Sequence, residues 1–70
     1  MKEIKVNSST IDSVSYDYAN HSLYVTFTNG RQYVYGNVPA ETYAKFLEAD
    51  SKGKFLHESI VGQFGYARIK

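Results

Sequence analysis

The absence of cysteine from these seventy residues excludes disulfide stapling and a cysteine-ligated metal centre, and a formal net charge of +1 is too small to argue for nucleic acid by itself. A chain this short buries only about 60% of the surface its unfolded form exposes. Its stability must therefore come from an aromatic core, for which seven Tyr and four Phe are available, or from a partner chain, so a homodimer is one expectation.

Ile4 to Val6 reads as a frayed strand or an arm, and Asn7-Ser8-Ser9-Thr10 as a loop whose short polar side chains compete for backbone hydrogen bonds. Ile11 to Tyr16 is predicted as the first strand, with Val14 and Tyr16 on one face and Ser13 and Ser15 on the other. Asp17 to Ser22 is a polar turn. Leu23 to Thr28 is the clearest strand, because Leu23, Val25 and Phe27 alternate with Tyr24, Thr26 and Thr28. Asn29-Gly30 then predicts a hairpin into a third strand, Arg31 to Tyr35. Two registers are open. A two-residue turn pairs Phe27 with Gln32 and splits the faces. A three-residue loop with Gly30 left-handed pairs Phe27 with Arg31, Val25 with Tyr33 and Leu23 with Tyr35. The second is preferred because it gathers Leu23, Val25, Phe27, Tyr33 and Tyr35 onto one apolar face.

Pro39 suits the first turn of a helix, and Ala40, Tyr43, Phe46 and Leu47 recur at helical spacing to form its apolar stripe. Gly53 ends or breaks that helix. A shorter second helix runs from Lys54 to about Ile60, with Phe55, Leu56 and Ile60 inward and Lys54, His57 and Glu58 outward, until Gly62 stops it. Gln63 to Ile69 is a turn-rich tail from which Phe64, Tyr66 and Ile69 can pack back. The expectation is a single α+β domain over residues 1–70: a three-stranded antiparallel β-meander followed by a helix and a short second helix, the first, Pro39 helix lying across the Leu23-Val25-Phe27 face.

No run is long and apolar enough to span a membrane, and Met1-Lys2-Glu3-Ile4-Lys5 leads into a polar segment rather than a signal-peptide core, so the cytoplasm is the expected compartment. Catalysis is not expected. Seven serines and the histidines His21 and His57 fall into no triad spacing, and no nucleophile elbow surrounds any serine. Two separated histidines make no metal site, and no cofactor motif appears. The charges are unevenly divided: Met1 to Asp50 carries four cations against six carboxylates, whereas Ser51 to Lys70 carries four against one, a net +3. The densest part is Ser51-Lys52-Gly53-Lys54. There a glycine turn between two lysines suits a phosphate or an RNA backbone, although it lacks the spacing of a P-loop. Arg31, His57 and Arg68 are candidate additional anion contacts. The competing reading makes Gly53 a helix C-cap, the lysines solvation, and Tyr16, Tyr33, Tyr35 and Tyr43 core residues with hydroxyls at the rim.

Taken in order, Ser8-Ser9 with Ile11, Val14-x-Tyr16-Asp17, Leu23-x-Val25-x-Phe27-x-Asn29-Gly30, Tyr33-x-Tyr35, Val38-Pro39 with Tyr43, Ser51-Lys52-Gly53-Lys54-Phe55, Ile60-x-Gly62 and Arg68-Ile69 resemble the KTSC domain family. That family takes its name from the C-terminal domain of certain lysyl-tRNA synthetases and also occurs as small stand-alone bacterial and phage proteins. The resemblance covers about Val6 to Ile69. It implies a role near tRNA or other nucleic acid, and its polar signature falls on Ser51, Lys52, Gly53 and Lys54, with Arg68 in the tail. The alternative is a structural or protein–protein interaction module, a homodimer among the options, with no nucleic-acid ligand.

Overall fold

Five strands, not three, form the sheet. The computed structural model describes residues 2–70, with strands β1 (Ile4–Lys5), β2 (Ile11–Asp17), β3 (Ser22–Phe27), β4 (Gln32–Tyr35) and β5 (Tyr66–Arg68) hydrogen-bonded in sequence order, all antiparallel. Helix α1 (Ala40–Glu48) and the short helix α2 (Lys52–Phe55) lie between β4 and β5, and α2 runs directly into a π-helical turn over Leu56–Ile60.

The two added strands overturn the three-stranded expectation for different reasons. β1 is two residues long, too short for any alternation to show, and it is held by its pairing of Ile4 with Val14 and Lys5 with Ser13. The exposed Lys5–Asp12 ion pair at 3.0 Å sits beside that pairing, and its hydrogen bond holds the Asp12 carboxyl below the usual carboxylate range. β5 is three exposed residues in the segment expected to be a turn-rich tail. It becomes a strand because β4 offers a free edge: Tyr33 pairs with Arg68 and Tyr35 with Tyr66, and the pairing is closed by Gly36 N–H to the Gly65 carbonyl and Gln32 N–H to the Lys70 carbonyl, both at 2.9 Å.

The central hairpin takes the three-residue loop. Gly30, at φ 89°, donates its N–H to the Phe27 carbonyl, and Leu23 faces Tyr35 and Val25 faces Tyr33. In β2 a bulge after Ile11 shifts the register against β3, which brings Ile11 onto the same apolar side as Val14 and Tyr16. The core therefore takes Ile11, Val14 and Tyr16 from β2, Leu23 and Val25 from β3, Tyr35 from β4, and Val38, Tyr43, Phe46, Leu56 and Ile60 from the connecting segment.

Pro39 supplies the extended residue before α1, and its carbonyl accepts from the Thr42 and Tyr43 N–H groups. Tyr43 and Phe46 are buried as the stripe requires, while Ala40 is exposed. Tyr43 stacks on Tyr16 with centroids 4.6 Å apart, and the Tyr16 hydroxyl donates to the Val38 carbonyl, which ties the helix entry to β2.

Burial raises the pKa of Tyr16, Tyr35 and Tyr43 above the ordinary tyrosine value near 10. A group whose folded pKa is raised holds its proton longer in the folded state. Its contribution to stability is complete below the unfolded value and is lost as pH rises through the folded value. The fold should thus be insensitive to these groups up to about pH 9 and weaken above about pH 10. Following phenolate absorbance together with circular dichroism through that range should show these three rings ionising late and with loss of structure. Their complete ionisation in a chain that stays folded would contradict the packing.

Candidate polyanion-binding site

The Ser51–Lys54 segment faces a groove of about 710 Å³ whose opposite wall is the Asn7–Thr10 loop. Phe27, Leu56 and Val61 supply the apolar part of its lining, and Ser8, Thr10, Ser51, Lys52, Lys54, His57 and the carboxylate Asp50 the polar part. Sequence distance conceals this juxtaposition. The loop before β2 and the helix after α1 meet because β2 starts where β3 ends, beside the Asn29-Gly30 hairpin. The Thr28 N–H donates to the Thr10 carbonyl at 2.9 Å, and the Thr28 hydroxyl to the Ser9 carbonyl at 3.2 Å.

Each wall is fixed by its own hydroxyls. Ser8 Oγ accepts from the Thr10 and Ile11 N–H groups, both at 3.2 Å, which closes the loop into a tight turn. Ser51 N-caps α2 by accepting from the Lys54 N–H at 3.3 Å. That amide is therefore already engaged. The second helix also begins at Lys52, two residues before the expected start, because Ser51 caps it there.

Gly53 is neither a C-cap nor a left-handed turn. It lies inside α2, where a Cβ would sit 2.9 Å from Thr10 Oγ1 and 3.8 Å from Ser8 Oγ. Glycine is what allows the helix backbone to approach the loop hydroxyls this closely. The charged groups behave differently from one another. Lys52 is half-buried and donates from Nζ to the Ala49 carbonyl at 3.0 Å, holding its ammonium at the end of α1. Lys54 and His57 are exposed, and among the described residues no carboxylate lies within ion-pairing distance of either. His57 reaches the groove from the π-helical turn, whose wider winding is marked by the Val61 N–H donating to the Leu56 carbonyl at 2.8 Å.

Ser51, Lys52, Gly53, Lys54 and His57 are thus brought together. Arg31 is not in the groove but adjoins it, lining a smaller pocket of about 230 Å³ that shares Phe27 with it. Arg68 lies on β5 opposite Tyr33, outside the groove, and its Nε donates to the Lys70 carbonyl at 3.2 Å. His21 sits at the far end of the β2–β3 pair in a left-handed turn at φ 54°. Sequence reasoning missed the Asn7–Thr10 wall as part of a site; its signal was the Ser8-Ser9 pair, read only as loop chemistry. Among the described residues no group of three or more His, Asp or Glu side chains is placed to hold a metal ion, and no helix is long and apolar enough to cross a membrane.

The KTSC domain profile matches residues 7–64. An uncharacterized protein of Stutzerimonas stutzeri is 37% identical over 70 residues, which cover 99% of both chains. A lysine–tRNA ligase of Nostoc is 32% identical over 66 residues, spanning 94% of this chain but only 12% of that protein. Among solved structures, a KTSC domain protein from Yersinia pestis superposes with a TM-score of 0.92 at 36% identity, covering 99% of this chain and 97% of that one.

Proposed function

This chain belongs to the KTSC domain family, and we propose on that footing that it binds RNA weakly, gripping the phosphate backbone in the groove between Asn7–Thr10 and Ser51–Lys54. The observation that carries the reading is that Lys52 and Lys54 line one groove together with Ser8, Thr10 and Ser51. Ammonium groups meet phosphate as point charges, hydroxyls complete its hydrogen bonding, and neither reads base identity. Asp50 at the rim limits the net attraction, in keeping with a weak, salt-sensitive site rather than a tight one. His57 adds a cation when protonated, and Arg31 and Arg68 extend the positive surface beyond the groove. The matching segment of a lysine–tRNA ligase makes tRNA the first ligand to test, and the cytoplasm the compartment in which the chain would meet it.

Titration against tRNA, single-stranded RNA and duplex DNA at low and high salt tests the proposal. A site neutralising about three phosphates should show log affinity falling against log salt with a slope of about −2 on single strands. Absence of binding to all three at low salt, with the chain folded, would eliminate the RNA reading. The remaining one would be a protein-interaction module, for which the short outer strand β5 offers an unpaired edge.

A further inference from the structure

The core face of the sheet becomes more exposed toward its β4–β5 margin. Tyr35 is buried there, but Tyr33 is only half-buried and Tyr66 is 64% exposed. These rings form a continuous group. The Tyr66 centroid lies 5.8 Å from that of Tyr33 and 6.0 Å from that of Tyr35, and Phe27 meets Tyr33 edge-on at 5.7 Å. Two arginines bracket them. Arg68 is the register partner of Tyr33, so both side chains project from the same face. Arg31, whose carbonyl accepts from the Phe27 N–H at 2.8 Å, lines the pocket against Phe27, Tyr33 and Tyr35. Among the described residues neither arginine has an Asp or Glu carboxylate within ion-pairing distance, and Arg68 Nε donates only to the Lys70 backbone oxygen. Phe27 lines both this pocket and the lysine groove, so the two adjoin each other.

An aromatic surface this open, bounded by guanidinium groups that no Asp or Glu neutralises and adjoining a lysine groove, matches flat apolar rings attached to a phosphodiester chain. We propose that the Tyr33–Tyr66 face is a stacking platform for the unpaired bases of a single-stranded RNA whose phosphates occupy the adjoining groove. The inference rests on the phosphate-binding reading of that groove and adds to it a preference for unpaired bases over bare backbone. Tyr66 presents the accessible ring, while Arg31 and Arg68 contact phosphates or lie flat on base faces.

The test compares an eight-nucleotide oligoadenylate with an abasic ribose-phosphate oligomer of equal length, at low salt. The wild-type chain should bind the base-bearing oligomer about five-fold or more tightly than the abasic one. Tyr66→Ala should abolish most of that preference while leaving affinity for the abasic oligomer unchanged. Tyr66→Leu, which keeps an apolar cover over Tyr33 and Tyr35, should lose the preference as well, and Tyr66→Phe should retain it. Lys52→Gln with Lys54→Gln should weaken both oligomers alike. Equal binding of the two oligomers by the wild type, or a preference that survives in folded Tyr66→Leu, overturns the stacking platform and leaves the phosphate site standing. If neither oligomer binds, the phosphate site falls and the platform with it.

Discussion

Phe46→Ala should lower stability by about 3–5 kcal/mol, because the ring is fully buried and its loss leaves a cavity in the core. A domain of this size holds only about 4–10 kcal/mol in total, so the variant should be largely unfolded near body temperature. Phe46 matters beyond its volume. It is the α1 residue whose ring meets Phe55 of α2 edge-on at 6.1 Å, so it sets where the second helix sits and hence the groove wall that helix provides. Phe46→Leu keeps most of the apolar volume and should lose less. Thermal and urea melts of the two variants check the ranking, and a near-native melting temperature for Phe46→Ala would contradict the packing of α1 on the sheet.

The second large effect is on binding. Replacing Lys52 and Lys54 together by Gln removes two of about three phosphate contacts. It should reduce the salt slope on single-stranded RNA by about 1.4 and lower affinity by roughly ten-fold or more at low salt. The loss should be similar for every RNA sequence, since backbone contacts position a ligand without reading it. Lys52 also donates to the Ala49 carbonyl, so its replacement costs some stability as well as charge. Lys54→Gln alone has no such contact to lose among the described residues and isolates the electrostatic part. An unchanged salt slope in the folded double variant would remove these lysines from the site.

The legible parts of the fold were those with a local period or a turn constraint. The β3–β4 hairpin followed from alternation on both strands and from Gly30, whose positive φ the loop requires. Tyr43 and Phe46 followed from helical spacing. Of the outer strands, β1 was legible only as a frayed strand or an arm and β5 not at all, because two or three residues carry no period and both are specified by the free edges of β2 and β4 rather than by their own composition. Gly53 shows the same limit at the site. Its presence suggested a turn or cap, whereas what requires it is a pair of hydroxyls more than forty positions earlier, at Ser8 and Thr10. The Ser51–Lys54 cluster was visible as charge density, but its facing wall was not. Tyr66 could not be placed on the Tyr33 face until β5 was known to be a strand.

Backbone amide mapping by NMR during titration with a short single-stranded RNA tests the central claim most directly. The account predicts that shifts concentrate at Ser8–Thr10, Ser51–Lys54 and His57, extend through Phe27 to Tyr33 and Tyr66, and fade as salt is raised. Shifts confined to β1 and the Asp17–His21 turn, at the opposite end of the β2–β3 pair, would contradict it.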